Sequence, residues 1–113
     1  MSETLFTRII NKEIPAEIIH EDEWCIAFRD VNPQAPVHFL VVPRKPVPRL
    51  QDISADDAAT IGHIHSVITR LSVSEGIEDG YRVVVNNGET AGQSVFHLHF
   101  HVMGGRGFAW PPG

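Results

Sequence analysis

The residue pattern predicts an α+β fold: an antiparallel sheet of about five strands carrying one short and one long helix. Three observations carry that prediction. Apolar residues recur at helical spacing in two places, close to the N-terminus and between Ser54 and Gly76. Between and beyond them lie short valine-rich or alternating runs, broken by prolines, glycines and an acidic turn, as strands joined by short loops are. The order is helix, several strands, a long helix, then two strands. That order sets helices against an antiparallel sheet rather than between parallel strands.

Leu5, Phe6, Ile9 and Ile10 give a short amphipathic helix over Thr4 to Lys12, closed by Pro15. Glu17 to His20 and Trp24 to Arg29 read as strands around the turn Glu21-Asp22-Glu23. Asn32-Pro33-Gln34-Ala35-Pro36 is a loop fixed by two prolines. His38 to Pro43 is the next strand, and Arg44 to Arg49 is irregular because Pro46 and Pro48 cannot donate to a ladder. The long helix starts at Ser54, with Asp57 in capping-box position and Ile61, Ile64, Ile68 and Leu71 as its apolar stripe. Gly76 supplies the left-handed residue that ends it. His63 and His65 stand two apart on this helix, so they do not share a face, and each reads as structural or solvated. Tyr81 to Asn86 is a strand, Asn87 to Ser94 a polar loop, Val95 to Met103 the last strand, and 104–113 an irregular tail.

Composition narrows the function. A chain of 113 residues is expected to form one domain, residues 1–113. Nine basic against fourteen acidic side chains, a formal charge of −5, argue against a nucleic-acid partner, whose phosphates need clustered Lys and Arg. The single cysteine, Cys25, allows no internal disulfide and reads as a small buried residue. Met1-Ser2-Glu3-Thr4 lacks the charged lead and apolar stretch of a signal peptide. The longest clean apolar run, Phe39 to Val42, falls far short of the ~20 residues that span a bilayer. A cytoplasmic protein with no membrane partner is expected.

The chemistry concentrates in His97-Leu98-His99-Phe100-His101. Strand alternation puts three imidazoles on one face at intervals of about 6.6–7 Å, with Leu98, Phe100 and Val102 turned into the core. Two chemistries suit such a row. Histidines two apart on a strand can bind a metal, but that needs further ligands, and no Asp, Glu or Cys follows Glu89. His38 alone remains as a distant candidate. Alternatively, one neutral imidazole attacks a phosphorus while its neighbours donate hydrogen bonds to the developing charge. The preceding loop suits the second case: Asn86, Gln93 and Ser94 are neutral donors, and Gly88 and Gly92 let backbone N–H groups approach an anion.

The stretch His97 to Met103 has the form His-x-His-x-His-x-x with x apolar, and it resembles the signature of the histidine-triad (HIT) family. Gly92-Gln93-Ser94-Val95-Phe96, the run from Ala27 to Pro43 and the ending Trp110-Pro111-Pro112-Gly113 resemble its Hint branch, so the likeness extends from about Leu5 to Gly113. The resemblance implies a HIT-like fold and a purine nucleoside phosphoramidase that cleaves the P–N bond of adenosine phosphoramidates without a cofactor. It implies His99 as the nucleophile that becomes adenylylated, His101 on the α-phosphate, and His97 supporting the nucleophile's orientation. Ser94 would serve the leaving amine, Asn86 the phosphate and His38 proton movement, with Gln93 among the nucleotide-binding residues. Asp30 would take the ribose hydroxyls. Phe6, Ile9, Phe28 and Val31 would line the purine pocket, with Arg29 at its edge. It further implies a homodimer whose sheets join into one larger sheet, with Trp110 near the partner's leaving-group pocket. Some family members hold a structural zinc partly through Cys-x-x-Cys near the N-terminus; Thr4 and Thr7 stand at those positions, so no metal is expected. Three other readings stay open: a nucleotide-binding regulatory module with weak catalysis, a dinucleoside polyphosphate hydrolase, and a metal-dependent hydrolase.

Overall fold

The computed structural model describes residues 3–113, so Met1 and Ser2 of the leader reading lie outside the described residues. Helix α1 spans Leu5–Ile10, followed by strands β1 (Ile18–Glu21), β2 (Cys25–Arg29) and β3 (Val37–Pro43). Helix α2 spans Ala58–Ser74, and strands β4 (Tyr81–Val84) and β5 (Phe100–Gly104) complete the fold. The five strands lie in the order β1-β2-β3-β5-β4, with every neighbouring pair antiparallel. This is the α+β architecture that the periodicities predict. Among the described residues no helix is long and apolar enough to cross a membrane.

Alternation divides the core between the two faces of the sheet. Cys25, Ala27, Phe39, Val41, Phe100 and Val102 pack with Ile64, Val67, Ile68 and Leu71 of α2. Ile26, Phe28, Leu40 and Val42 face the other way and pack with Phe6 and Ile9 of α1. Helix α1 is only six residues long and needs its cap. Thr4 Oγ1 accepts the Thr7 N–H at 3.2 Å, and Thr7 Oγ1 accepts the Thr4 N–H at 3.2 Å.

Helix α2 begins later than its capping signal. Residues 55–57 form one tighter turn first, in which Asp57 Oδ2 accepts the Ser54 N–H at 2.9 Å. The helix ends in a Schellman motif: Gly76 takes φ +74°, and the Ile77 N–H donates to the Ser72 carbonyl at 2.9 Å. That turn drives Ile77 under β5, where only Gly104 leaves it room. A Cβ on Gly104 would stand 2.7 Å from Ile77 Cβ. Gly104→Ala, ordinarily favourable in a strand, is therefore expected to lower stability here by about 1–3 kcal/mol, read by chemical denaturation.

The last strand departs from expectation. It begins at Phe100 rather than Val95, so His97 and His99 precede the ladder instead of standing within it. The reason lies in β3, which reaches its end at Pro43, where no N–H is available to extend the pairing beyond Val41↔Phe100. The chain bends away, and the Leu98 N–H donates to the Val47 carbonyl at 2.6 Å. The alternation of faces survives the bend, since Leu98 packs with the α2-side core while Phe6 of the α1 side meets the His97 and His99 rings.

Candidate active site

Four imidazoles gather on the α1 side of the sheet: His38 from β3, His101 from β5, and His97 and His99 from the bend before it. His97 is fully buried and fully engaged. Its Nε2–H donates to the Pro43 carbonyl at 2.7 Å, so Nδ1 is the acceptor for the Thr4 hydroxyl at 3.2 Å. The cap of α1 is thereby tied to the first histidine of the row.

The remaining tautomers follow from fixed backbone partners. His99 Nδ1 lies 2.8 Å from the His97 carbonyl, which can only accept, so Nδ1 carries the proton and Nε2 keeps its lone pair. His38 Nδ1 accepts the Gln34 N–H at 3.0 Å, so Nε2 carries that ring's proton. It donates to His101 Nδ1 at 3.0 Å, leaving His101 with an Nε2–H. Among the described residues no buried side-chain polar atom lacks a partner. The unpartnered Nε2 atoms of His99 and His101 are therefore the accessible ones. One ring offers a lone pair, its neighbour a proton, and the two centroids are 5.1 Å apart.

Burial keeps the row uncharged. It pushes His97, His99 and His38 below the ordinary imidazole value. His101 falls to about 4, through burial first and then the neighbouring His99 and His38, against the pull of Asp30. Asp30 Oδ2 stands 3.4 Å from His38 Nε2 and 3.9 Å from His101 Nδ1. With both rings neutral these approaches are dipolar rather than ion pairs. Donor atoms of Asp30, His38 and His101 lie within 4.8 Å of one another and could hold a metal, but only by breaking the His38–His101 hydrogen bond.

A cavity of about 220 Å³ opens beside the row, lined among others by Phe6, Ile9, Ile14, Phe28, Asp30 and Val31. It is smaller than the ~300 Å³ of a site enclosing a whole drug-sized ligand, and suits one ring system with its substituents outside. Phe6 belongs to both features, its ring centroid 4.9 Å from that of His99 in an edge-on arrangement. Val31 is 99% exposed and forms only the rim.

Two sequence assignments, Arg29 and Gln93, change in detail. Arg29 borders the cavity, but its guanidinium points to the α2 side, where Glu75 takes it bidentately at 2.7 and 3.1 Å and Glu17 at 2.9 Å. Alternation explains this, since Arg29 shares a face with Cys25 and Ala27. Gln93 is buried and spent on the loop: its amide donates to the Pro48 and Val95 carbonyls, and its Oε1 accepts the Gly88 N–H. It braces the turn before the histidines and has no free donor for a ligand. Trp110 is 83% exposed, while Phe108 holds the tail to its own chain beneath Arg82 and Arg106. Ser94 is exposed and Asn86 half-buried beyond the end of β4. Sequence reasoning missed Gln34 and Pro43, whose contributions are backbone groups and leave no side-chain signal.

Fold and site together define an α+β protein that holds neutral imidazoles, in fixed tautomers, beside a small apolar cavity. The chain belongs to the HIT family: the HIT domain model matches residues 11–108. It is 51% identical over 111 residues to an uncharacterised HIT-like protein of Synechocystis sp., covering 98% of this chain and 97% of that one. A HIT family hydrolase from Legionella pneumophila superposes with a TM-score of 0.95 at 41% identity, covering 98% of this chain and all of the other. A histidine triad nucleotide-binding protein from Candida albicans gives 0.83 at 30%, covering 98% of this chain and 85% of that one.

Proposed function

We propose that this protein is a nucleotide hydrolase of the Hint type, cleaving the P–N bond of adenosine 5′-phosphoramidates through a covalent adenylyl group on His99. The observation that carries the reading is the pair of free atoms: a neutral His99 Nε2 lone pair beside a His101 Nε2–H. An imidazole nucleophile must be unprotonated, and the group next to it must donate to phosphoryl oxygen. Both conditions are met near neutral pH. The relatives named as a hydrolase and as a nucleotide-binding protein agree with it.

In the first step Nε2 of His99 attacks phosphorus, the P–N bond breaks, and the departing amine takes a proton from solvent by way of the exposed Ser94 hydroxyl. In the second, water attacks phosphorus and gives up a proton to solvent, the His99–P bond breaks, and AMP leaves with the row restored. His101 and Asn86 hold the phosphoryl oxygens, and the His38–Asp30 pair steadies His101. Asp30 also takes the ribose hydroxyls at the cavity mouth, with the purine against Phe6, Ile9 and Phe28. His97 sets the His99 ring through its carbonyl.

A panel of AMP-lysine, AMP-NH2 and diadenosine polyphosphate tests this reading. The first two should turn over far faster than the third, and the reverse preference would replace it with dinucleoside polyphosphate hydrolysis. EDTA should leave these rates unchanged. Loss of activity in chelator, restored by metal, would move the chemistry to a metal at Asp30, His38 and His101.

We also propose a symmetric dimer. Strand β4 is a sheet edge with Val83 exposed, and Phe96 and Trp110 are large exposed apolar side chains. Pairing of β4 with its two-fold mate would join two sheets and leave Trp110 to reach the partner's site. Sedimentation at micromolar concentration should give a dimer, and a monomer would refute it. Truncation after Gly107 should alter the preference among leaving amines more than AMP affinity.

A further inference from the structure

The opposite side of the sheet carries a second group of titratable side chains that the proposed reaction does not use. At the β1–β2 turn, Asp22 Oδ2 accepts hydrogen bonds from both His20 Nε2 and His63 Nε2, each at 2.7 Å. Donor atoms of His20, Asp22 and Cys25 lie within 4.8 Å of one another, with Cys25 Sγ 3.8 Å from the same Asp22 oxygen. His63 comes from the middle of α2, 41 residues away in sequence. One imidazole, a carboxylate and a thiol thus stand within 4.8 Å of one another, and a second imidazole from α2 reaches the same Asp22 oxygen.

The convergence depends on an irregularity in β1. A register shift between Ile18 and His20 sets His20 opposite Ala27, so His20 shares the α2 face with Ala27. Regular alternation from Ile18, which packs on the α1 side, would have turned His20 that way too. The bulge re-aims it toward His63. The carboxylate is also oriented in advance: Asp22 Oδ1 accepts the Trp24 and Cys25 N–H groups at 2.7 and 2.9 Å, leaving Oδ2 as the inward atom. Arg44 Nε donates to the Asp22 carbonyl at 2.6 Å and braces the same turn. A cavity of about 240 Å³ lined by Trp24, Ala59 and His63 borders the cluster and gives an approach from solvent.

We propose that His20, Asp22, Cys25 and His63 form a binding site for a zinc-type divalent ion, separate from the triad. Two nitrogens, one monodentate carboxylate oxygen and one sulfur make a four-ligand set that zinc accepts in tetrahedral geometry. The backbone N–H groups on Oδ1 supply the outer support that metal-binding carboxylates need. Binding moves each imidazole proton to Nδ1 and releases the Cys25 thiol proton to solvent. Without an ion, burial and then Asp22 push that thiol up to about 12, so it is otherwise inert. The ion would pin the β1–β2 turn to α2, a structural role.

Full-length protein stripped with chelator and titrated with zinc against a chromophoric competitor should bind a single equivalent. Cobalt in its place should give tetrahedral visible bands together with a thiolate charge-transfer band. His20→Gln and His63→Gln should each weaken zinc by about a hundredfold or more, since even outer-shell losses reach that range. Cys25→Ser should remove the charge-transfer band, and His101→Gln should leave stoichiometry and affinity unchanged. Three results would overturn the site: no saturable zinc binding, binding indifferent to His20 and His63, or binding lost with His101. The cobalt spectrum of the unmodified protein decides the matter even if a variant fails to fold, because a spectrum lacking the thiolate band rejects the four-ligand site.

Discussion

Replacing His99 with alanine is expected to lower turnover of AMP-amide substrates by about four orders of magnitude or more, the scale on which removal of a covalent nucleophile acts. AMP affinity should change only a few-fold, because the base and sugar contacts of the proposed site belong to Phe6, Phe28 and Asp30. The ring of His99 also packs against Phe6 and donates to the His97 carbonyl, so alanine removes architecture along with chemistry. His99→Gln separates the two, since its amide can still donate while offering no nucleophilic nitrogen. It should match alanine in activity and exceed it in stability. A glutamine variant within tenfold of the parent rate would remove His99 from the nucleophile's role.

The second large effect is on stability in acid. An unfolded histidine binds its proton near pH 6.5, whereas His97, His99, His38 and His101 hold theirs less readily when folded. Below about pH 6.5 the unfolded chain therefore takes up protons that the folded chain refuses, and stability falls as pH falls. The loss continues until the folded rings titrate, near pH 4 for His101. That ring alone is worth roughly 3 kcal/mol across the interval, an order-of-magnitude figure from its displacement at 1.36 kcal/mol per pH unit. Denaturant unfolding at pH 7 and pH 4.5 should show the drop, and His101→Gln should reduce it. Equal stability at the two pH values would mean that the row is not held neutral.

What the sequence discloses, and what it hides, divides along one physical line. Side-chain periodicity is local, so the two helices and the five strands could be read from Leu5-x-x-x-Ile9, from Ile61-x-x-Ile64 and from the alternation around Phe39 and Phe100. The three histidines were visible for the same reason. The start of β5 was not, because it depends on Pro43 in another strand failing to offer an N–H. Nor was the direction of Arg29, which is set by Glu75 at the far end of α2, 46 residues away. Gln93 looked like a free donor because sequence shows the amide and not the carbonyls of Pro48 and Val95 that consume it. The tautomers are the most important case. They rest on the Gln34 N–H and on the Pro43 and His97 carbonyls, groups that every sequence contains and no motif marks. Nor does the sequence mark the meeting of His20 and His63, since a one-residue register shift and a helix packed across a sheet bring them together.

The proposed reaction requires His99 to become covalently adenylylated, and one measurement addresses that directly. Enzyme mixed with AMP-NH2 for a fraction of one turnover, quenched by denaturation at alkaline pH and weighed intact, should carry the added mass of one adenylyl group. Peptide mapping should place that mass on His99, and His99→Gln should carry none. An intact mass that stays unmodified while AMP is released in the same quench, or an adenylyl group mapped to His101 or Ser94, would contradict the mechanism.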